Sequence, residues 1–358
     1  MRCDTILAVE TSCDDTSAAV LRDGRDLLGH VIATQDMHAD FGGVVPELAS
    51  RAQLEVIDAV VARTLEQAKL ELSDMDALAV TAGPGLIGSL LVGLNWVKAV
   101  AYAAGRPLIG IHHMEAHLFA AVLEDERAAP PFVALLVSGG HTLLLFVEDW
   151  GRYRLLGATR DDAAGEAFDK VARLLGLGYP GGPAIERAAR EGDPKRHALP
   201  VPMVRGDQTP QDDDYYDMSF SGLKTAVLLR VRELQKRGRL SNEVAHLSAA
   251  FQWAAVRQLS EKTGRAVQAS GCRRVVLGGG VARNQALQES LRAALGEGGE
   301  LYVPSPRLST DNAAMVARAA HFRLGLGERD GLDLNARADL PMPGLIEAVG
   351  EGVNSNPE

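Results

Sequence analysis

Two segments with the same order of residue types constrain the fold of this chain most strongly. Residues 6–21 and 132–147 each consist of an apolar strand, a small hydroxyl-rich bend and a second apolar strand. The bends are residues 10–17 (Glu-Thr-Ser-Cys-Asp-Asp-Thr-Ser) and 138–142 (Ser-Gly-Gly-His-Thr). Each segment predicts a β-hairpin. Their repetition far along the chain predicts a duplicated fold with a ligand between the two bends, and two unrelated hairpins are the alternative.

Strands alternate with helices around these hairpins, which is typical of α/β lobes. The first hairpin is followed by an amphipathic helix near 46–70, a strand at 77–81, an apolar window at 86–104 and a strand at 107–111. Residues 193–217 are rich in proline, aspartate and other polar residues, and they predict a long surface loop.

Length and proline placement indicate two lobes. A chain of 358 residues with 46% hydrophobic content can bury two cores. The Pro-Pro pair at 130–131 cannot continue a helix, so we place a boundary there. We expect an N-terminal lobe over 1–129 that is completed by a C-terminal helix at about 310–345. We also expect a C-terminal lobe over 130–309 and a disordered tail over 346–358.

Charge and cysteine content narrow the function classes. The net charge of -10 argues against a protein that grips nucleic acid alone, so such a partner must meet a local patch or be held with help. The three cysteines include no Cys-x-x-Cys pair, which favours a reducing compartment. Residues 1–10 are too short and too acidic for a signal peptide. The window 86–104 contains Asn95, Trp96 and Lys98, so we predict a buried helix and a cytoplasmic protein without a membrane partner.

One basic run occurs in this acidic chain. We expect it to be mainly a solvated helix face, with a surface that tracks phosphates as the alternative. Its residues are Lys224, Arg230, Arg232, Lys236, Arg237 and Arg239.

Two imidazoles four residues apart, His113 and His117, have the spacing of metal ligands on one helix face. Zinc proteases with this spacing carry a general-base glutamate directly after the first histidine, and here that position is Met114. Glu115 comes one residue later, which turns it by roughly 200° from His113. The spacing therefore predicts half of a metal site, and the protease interpretation lacks its base.

Acidic residues elsewhere could complete such a site. Asp311 is either an ordinary carboxylate at a helix start, with Thr310 as cap, or the third ligand of a two-histidine, one-carboxylate site suited to ferrous iron as well as zinc. Asp14 and Asp15 in the first bend could act on a proton, although adjacent acids in a bend are usually solvated. Asp169 inside a predicted helix indicates either a buried polar partner or an ion pair along the helix.

Three glycine-rich turns favour a nucleotide ligand. They are residues 137–142, 178–183 and 277–284. Glycine lets backbone amides approach a phosphate, and a helix start after Gly280 would offer unpaired N–H groups. None of the turns matches the dinucleotide fingerprint or the P-loop, and each by itself is usually a tight turn.

Taken in order, these motifs resemble the bacterial tRNA threonylcarbamoyladenosine transferase family, TsaD, whose members were once described as sialoglycoproteases. The resemblance runs from Ile6 to Met342, and the number of motifs in order makes it specific. The motifs are Glu10-Thr-Ser-Cys-Asp14, His113-Met-Glu-Ala-His117, Val137-Ser-Gly-Gly-His-Thr142, Ala167-Phe-Asp-Lys170, Tyr179-Pro-Gly-Gly-Pro183, Phe220-Ser-Gly-Leu-Lys-Thr225, Gly278-Gly-Gly-Val281 and Ser309-Thr-Asp-Asn312.

The resemblance implies an α/β fold of the actin, sugar-kinase and hexokinase class (ASKHA), with two duplicated lobes and a central cleft. It implies that His113, His117 and Asp311 hold one divalent metal, usually Fe²⁺, with zinc or magnesium as alternatives. The implied contacts to threonylcarbamoyl-AMP or an ATP-type nucleotide are Leu136, Val137, Ser138, Gly139, Gly140, Asp169, Gly182, Glu186 and Asn284.

The implied reaction moves the threonylcarbamoyl group from AMP to N6 of adenosine 37 in tRNAs that read ANN codons. The mixed anhydride is an activated acyl donor, so positioning and charge stabilisation can carry most of the catalysis. Asp14 and Asp15 are the candidates for a catalytic base. The implied partners are tRNA, a dimerising paralogue (TsaB), a small ATPase (TsaE) and a TsaC-type synthase that supplies the adenylate.

The chain departs from the family pattern at a few positions. Asp15 stands where the family often has glutamate, Ala116 replaces a frequent glycine, and the loop 203–217 is longer and more acidic. A phosphotransferase of the same fold, a metalloprotease and a non-enzymatic scaffold are the alternative functions. A kinase of this fold has no need of the two histidines, and Met114 argues against the protease.

Overall fold

The computed structural model describes residues 4–347, which divide into two compact units. The first unit extends to Arg127 and resumes over Pro304–Pro343. The second unit comprises Ala128–Val303 and continues from Gly344. Each unit therefore contains one of the two predicted hairpins.

A sheet forms the centre of the first unit. Its strands are β1 (Thr5–Glu10), β2 (Thr16–Arg22), β3 (Asp26–Ala33), β4 (Ala77–Gly83) and β5 (Leu108–His112). They lie in the order β3-β2-β1-β4-β5, with β1 antiparallel to β2 and parallel to β4. Every residue of β1 is buried, because helices pack against the sheet, and Leu7 and Val9 share a core with Ile57, Leu90 and Val97. The helices are α1 (Pro46–Ala68), α2 (Ile87–Ala104), α3 (His113–Phe119), α9 (Pro306–Ser309) and α10 (Ala313–Gly325).

The second unit repeats this plan. Its strands are β6 (Phe132–Val137), β7 (Thr142–Asp149), β8 (Arg152–Ala158), β9 (Arg274–Gly278), β10 (Glu300–Tyr302) and β11 (Leu345–Glu347). Its helices are α4 (Ala164–Leu174), α5 (Gly181–Ala189), α6 (Ser221–Lys236), α7 (Val244–Ser270) and α8 (Gln285–Leu295). Leu135 and Leu277 of the sheet share a core with Phe168, Phe251 and Leu287 of the helices.

The two sheets have the same topology, which confirms the predicted duplication. The second sheet has the order β10-β9-β6-β7-β8-β11. In each unit the first three strands form an antiparallel meander, and two later strands extend the sheet parallel to the first. The second sheet adds β11 beside β8 at its edge. The hairpins expected from the two hydroxyl-rich bends are β1–β2 and β6–β7.

Some expectations about the elements are wrong. The helix on which His113 and His117 are expected is present but short: it begins at His113, ends at Phe119 and is followed by a 3₁₀ turn, Ala121–Leu123. The helix expected over 310–345 extends only over Ala313–Gly325. The edge strands β3 and β11 are not predicted by the sequence pattern. Strand β11 has only three residues, and β3 (Asp-Leu-Leu-Gly-His-Val-Ile-Ala) lacks the strict alternation of apolar and polar residues that marks a half-buried strand.

Two residues of the predicted tail, 346 and 347, belong to a strand. Residues 345–347 form β11, and the rest of the expected tail, 348–358, lies outside the described residues. The segment 193–217 contains neither a helix nor a strand, as its composition predicts.

Helix α2 covers the apolar window 86–104. It is the single helix in the described part of the chain that is long and apolar enough to cross a membrane, judged by length and composition only. Leu90, Leu94 and Val97 lie in the core of the first unit. Its apolar character therefore has a structural explanation in packing against the sheet.

Candidate metal centre and ligand-binding loops

Helix α3 places the two histidines on one face. His112 ends β5 and caps the helix, because its ring nitrogen accepts a hydrogen bond from the Glu115 backbone N–H at 3.2 Å. His113 and His117 follow at the helical spacing, and their ring centroids lie 4.8 Å apart. Both side chains are almost completely buried. The predicted pairing of the two imidazoles is therefore present in the structure.

Asp311 meets both histidines from the segment before α10. One oxygen of its carboxylate lies 3.4 Å from His113 Nε2 and 3.2 Å from His117 Nε2. Asn312, rather than Thr310 or Asp311, caps α10 by accepting a hydrogen bond from the Met315 N–H. Asp311 is therefore outside the first helical turn, and its interpretation as an ordinary helix-start carboxylate is wrong.

These three side chains form a group that could hold a metal ion, since their ligand atoms all lie within 4.8 Å of one another. His113 Nδ1 faces Glu10 Oε2 at 3.2 Å and Ser12 Oγ at 3.1 Å. The Glu10 carboxylate favours a proton on Nδ1, so Nε2 carries a lone pair toward Asp311. Two acceptor atoms that face each other need a cation between them, and the donor set fits a two-histidine, one-carboxylate metal site.

The electrostatics of the group also favour a cation. Burial disfavours the charged imidazolium of His113, but attraction to Asp311 and Glu10 outweighs burial and raises its pKa to about 10. Burial opposes ionisation of Asp311 as well, yet His113 and His117 lower its pKa far below the usual range. The pKa of Glu10 is lowered against the effect of burial, chiefly through its interaction with His113. In the absence of a metal, a proton on His113 would occupy this negative site.

The first bend lies in the same unit and carries Asp14 and Asp15. Gln53 of α1 is fully buried, and its Nε2 donates hydrogen bonds to the backbone oxygens of Cys13 and Asp15 at 3.0 and 3.1 Å. Burial, followed by the charges of Asp311, Asp14 and Glu10, raises the pKa of Asp15 to about 7 although Thr34 hydrogen bonds to it. With this raised pKa, the Asp15 carboxylate differs from the carboxylate of a solvated turn residue, which ionises near its ordinary pKa.

Glu115 lies away from the metal group and forms a buried ion pair. Its carboxylate accepts two hydrogen bonds from the guanidinium of Arg323 in α10, at 2.5 and 3.2 Å. A carboxylate held in this way is not available as the general base of a zinc protease. The structure thus agrees with the helical-wheel argument against a protease.

In the second unit, the bend between β6 and β7 forms an exposed backbone loop. The Ser138 N–H donates to the His141 carbonyl at 2.9 Å, while Gly139 and Gly140 are exposed. Leu136 and Val137 are fully buried, so only their backbone could reach a ligand. Gly279 packs under this loop, because an added Cβ would lie 2.4 Å from the Val137 carbonyl oxygen.

The remaining residues assigned to the adenylate also lie in the second unit. Asp169 Oδ1 accepts a hydrogen bond from the Gly181 N–H at 2.7 Å, next to Gly182. Glu186 Oε1 accepts a hydrogen bond from the Gln285 N–H at 2.9 Å. These contacts join α4 to the start of α5, and α5 to the start of α8.

Asn284 has a structural role in addition to its expected contact with the adenylate. Its Oδ1 accepts from the Leu287 N–H and thereby caps α8, and its Nδ2 donates to Gln252. A 3₁₀ turn, Gly280–Arg283, precedes it, so the expectation of an unpaired helix start after Gly280 is wrong. Local capping chemistry, Asn at the N-cap, could have revealed this boundary.

Two functional neighbours of the metal group were also missed. Glu10 and Ser12 belong to the motif Glu10-Thr-Ser-Cys-Asp14, and the resemblance implies no role for either of them. Glu10 is fully buried and also accepts a hydrogen bond from Thr81 Oγ1. An acidic residue at the end of an otherwise apolar strand is a signal for such a buried role, since an unpaired buried carboxylate is costly.

Comparison with known proteins shows similarity over almost the whole chain. Residues 26–318 match the family model described as tRNA N6-adenosine threonylcarbamoyltransferase, TsaD. A protein of that name from Gemmatimonas aurantiaca is 54% identical over 95% of this chain and 98% of its own length. The namesakes from Syntrophotalea carbinolica and Clostridium botulinum strain 657 are 49% and 47% identical, each over 94% of this chain and 96% and 97% of their own lengths.

Solved structures are similar in fold at low identity. Component A of the (R)-2-hydroxyglutaryl-CoA dehydratase of Acidaminococcus fermentans has a TM-score of 0.55 at 14% identity, covering 90% of this chain and 99% of that one. Full-length HypF in its phosphate- and nucleotide-bound form has a TM-score of 0.58 at 15% identity, covering 91% and 47%. At this identity the likeness concerns the fold alone. The α/β ASKHA class expected from the motifs is confirmed.

Proposed function

Because this chain belongs to the tRNA N6-adenosine threonylcarbamoyltransferase family and is a transferase acting on tRNA, we propose that it takes the threonylcarbamoyl group from threonylcarbamoyl-AMP. The acceptor is N6 of adenosine 37 in tRNAs that read ANN codons. The observation that carries the proposal beyond family membership is the convergence of His113, His117 and Asp311 on one point.

His113, His117 and Asp311 hold one divalent metal in this proposal, with Fe²⁺ the expected ion and zinc or magnesium the alternatives. Two neutral imidazoles and one carboxylate leave coordination positions for substrate oxygens. When bound, such a metal supplies Lewis acidity toward the carbamoyl or phosphate oxygens of the donor. Glu10 orients His113 through Nδ1, which keeps Nε2 available as a ligand.

The adenylate is held by the second unit in this proposal. The Ser138, Gly139 and Gly140 loop offers backbone N–H groups to the nucleotide, together with backbone atoms of Leu136 and Val137. Asp169, Gly182, Glu186 and Asn284 complete the set. Support comes from the contacts of this unit, in which Gly165 approaches the Ser138 carbonyl and Gly181 approaches the backbone of Asp169. Close backbone packing of this kind gives a rigid loop, which favours a fixed position of the donor.

We propose that Asp14 or Asp15 accepts the proton that leaves the attacking amine. The bond that forms joins adenine N6 to the carbamoyl carbon, and the bond that breaks joins that carbon to the phosphate oxygen of AMP. AMP leaves with the electron pair, and the N6 proton must pass to a base. Asp15 is the better candidate, because its pKa of about 7 suits proton transfer near neutral pH.

The proposed protein partners are TsaB, TsaE and a TsaC-type synthase that makes the adenylate. The acidic net charge of -10 supports a requirement for help in holding tRNA. We also propose that the protein works in the cytoplasm.

Nucleoside chromatography of digested tRNA tests the function directly. A strain depleted of this protein should lose threonylcarbamoyladenosine, and the wild-type gene should restore it while the His113→Ala gene should not. Unchanged threonylcarbamoyladenosine in the depleted strain would show that the chain is a scaffold or acts elsewhere. Turnover of ATP on a small substrate that survives His113→Ala and His117→Ala would instead favour a phosphotransferase.

A further inference from the structure

Most of the basic run of the second unit is exposed, as expected of a solvated helix face, but part of it belongs to an ordered network around a buried carboxylate. Arg196, which precedes α6 in the chain, donates through Nε and Nη2 to both oxygens of Glu243, each at 2.7 Å. Arg239 approaches the same carboxylate at 3.6 Å. Glu243 itself is buried, and hydrogen bonding from Arg196 lowers its pKa to about 2. One buried carboxylate therefore holds the Arg196 guanidinium by two hydrogen bonds and lies within ion-pair distance of the Arg239 guanidinium.

A buried histidine extends this network to α6. His197 Nε2 lies 3.1 Å from Glu243 Oε2, and the Arg230 Nε–H donates to His197 Nδ1 at 3.1 Å. Burial and the positive charge of Arg230 lower the pKa of His197, so the ring is neutral with its proton on Nε2. Glu233 then joins Arg230 to Arg237, the latter at 2.7 Å.

We define the arginine cluster as Arg196, Arg230, Arg237 and Arg239. Their side chains remain accessible, with exposed fractions of 45%, 35%, 60% and 58%. The carboxylates within the network are Glu233 and Glu243, and Asp193 lies in the adjoining loop. Exposed Lys195 and Lys236 flank the cluster in the chain. Positive charge therefore exceeds negative charge here, in a protein whose net charge is -10.

Buried partners hold two of the guanidinium groups in place, Arg196 on Glu243 and Arg230 on His197, while Arg237 pairs with the half-exposed Glu233. This distinguishes the cluster from isolated surface arginines. An arginine fixed in advance loses less side-chain entropy when it meets a phosphate, and its planar group can still present a second edge. Arg196 uses Nε and Nη2 on Glu243, which leaves Nη1 for an external acceptor. Two guanidinium groups around each carboxylate give a spaced array of donors rather than neutral ion pairs.

We propose that the arginine cluster binds the phosphate backbone of tRNA. The inference rests on the proposed function, which makes tRNA the substrate, and adds where on this chain its phosphates are held. The charge of the cluster is the argument for tRNA as its ligand. Because the protein as a whole is acidic, a polyanion such as tRNA can bind only where the local surface is positive. The contact is with phosphates, so it sets affinity and orientation rather than base recognition.

Direct binding of an unmodified tRNA transcript to the full-length protein, without donor, tests the proposal. The double variant Arg237→Gln/Arg239→Gln removes the two most exposed members and leaves the Arg196–Glu243–His197 contacts intact. Affinity should fall about tenfold near 0.1 M salt, and the slope of log K against log salt should become shallower by roughly 1.5 to 2. The control Arg152→Gln/Arg292→Gln makes the same change of charge elsewhere in this unit and should alter affinity less than about twofold.

Equal losses in the cluster and control variants, or no loss in either, would overturn the proposal. An acidic protein partner would then be the better occupant of the cluster. A turnover assay separates this outcome from failure of the proposed function. If the wild type transfers the threonylcarbamoyl group, the cluster variant should mainly raise the KM for tRNA and leave kcat nearly unchanged. If the wild type binds tRNA with the predicted salt dependence but transfers nothing even when donor and the proposed protein partners are supplied, the proposed function fails and the binding surface stands.

Discussion

At the scale of single residues, the candidate metal centre depends on one carboxylate that is far from the two histidines in sequence. Asp311 contacts both histidines through one oxygen, and Glu10 orients the first of them. A divalent ion bound there would displace the proton that His113 otherwise retains, because Asp311 and Glu10 outweigh burial and raise its pKa to about 10. All three ligands should therefore contribute to metal binding to a similar degree.

Asp311→Ala should lower bound metal about as much as His113→Ala or His117→Ala, because each change removes one of three protein ligands. Metal content is measured on protein purified without oxygen, by elemental analysis. Asp26→Ala, at an exposed carboxylate of the same unit, is the matched control and should retain metal. Normal metal occupancy in the Asp311 variant would refute the three-ligand assignment.

The pH dependence of stability should reveal the buried carboxylate of Asp15. Its pKa of about 7 in the folded protein lies above the ordinary value of 3.8, so the folded state holds this proton more tightly than the unfolded state. Its contribution to the free energy of unfolding is therefore complete below pH 3.8 and is lost as pH rises to about 7. Asp15→Asn, which cannot ionise, should escape this loss.

Thermal unfolding of the chelated protein at pH 5 and pH 8 measures this effect. The free energy of unfolding of Asp15→Asn, taken relative to that of the wild type, should be higher at pH 8 than at pH 5. The difference should be up to about 3 kcal/mol before solvent screening is considered. Asp26→Asn is the control for loss of an exposed charge. An equal change at both pH values would show that Asp15 ionises normally.

At the scale of elements, helices α3 and α10 are joined by the buried pair of Glu115 and Arg323. Truncating the arginine leaves a buried carboxylate without its guanidinium partner, which is more costly than loss of the pair as a whole. Arg323→Met should therefore lower the free energy of unfolding by about 3–5 kcal/mol. The double variant Glu115→Leu/Arg323→Met should recover a large part of that loss in denaturant titrations, and failure to do so would show that packing dominates.

The turn after β9 offers a second test at this scale. Gly279 has a φ of +87°, and an added Cβ would lie 2.4 Å from the Val137 carbonyl oxygen. Gly280 has no heavy atom within 4 Å of an added Cβ. Gly279→Ala should therefore cost more than about 2 kcal/mol and weaken adenylate binding, through strain and displacement of the Ser138 loop.

Gly280→Ala is the matched control, since it adds the same methyl group one residue later. It should unfold at nearly the wild-type denaturant concentration. Comparable destabilisation in both variants would indicate that the close approach under the Ser138 loop is not what makes the glycine necessary.

At the scale of the whole molecule, metal binding should be linked to folding. The metal ligands come from β5–α3 and from the segment before α10, so only the folded first unit brings them together. A ligand that binds the native state alone stabilises it by mass action, by about 2.7 kcal/mol at a hundred times its dissociation constant. Chelation should therefore lower the Tm of the wild type.

The same chelator should leave the Tm of Asp311→Ala almost unchanged, because that variant has little metal to lose. Differential scanning fluorimetry with and without chelator, followed by re-addition of Fe²⁺ or Zn²⁺, makes the comparison. An identical fall in Tm in both proteins would locate the stabilising metal at other residues.

Much of the fold and part of the site follow from local sequence. The β1–β2 and β6–β7 hairpins were predictable because apolar runs and polar bends are local patterns, and so was the helical spacing that puts His113 beside His117. The family motifs added the third ligand. The extents of α3 and α10 were less predictable, since tertiary contacts and caps such as Asn312 decide where a helix begins and ends.

The sequence by itself determined the periodicities, the duplicated order of strands and the residue types available for a metal. Only the tertiary structure decided which carboxylate lies beside which histidine or arginine side chain. It set Asp311 against the histidines, Glu10 behind His113 and Glu115 against Arg323. The physical reason is that such pairings depend on through-space distance and burial, and residues far apart in sequence acquire both only when the sheets and helices have packed.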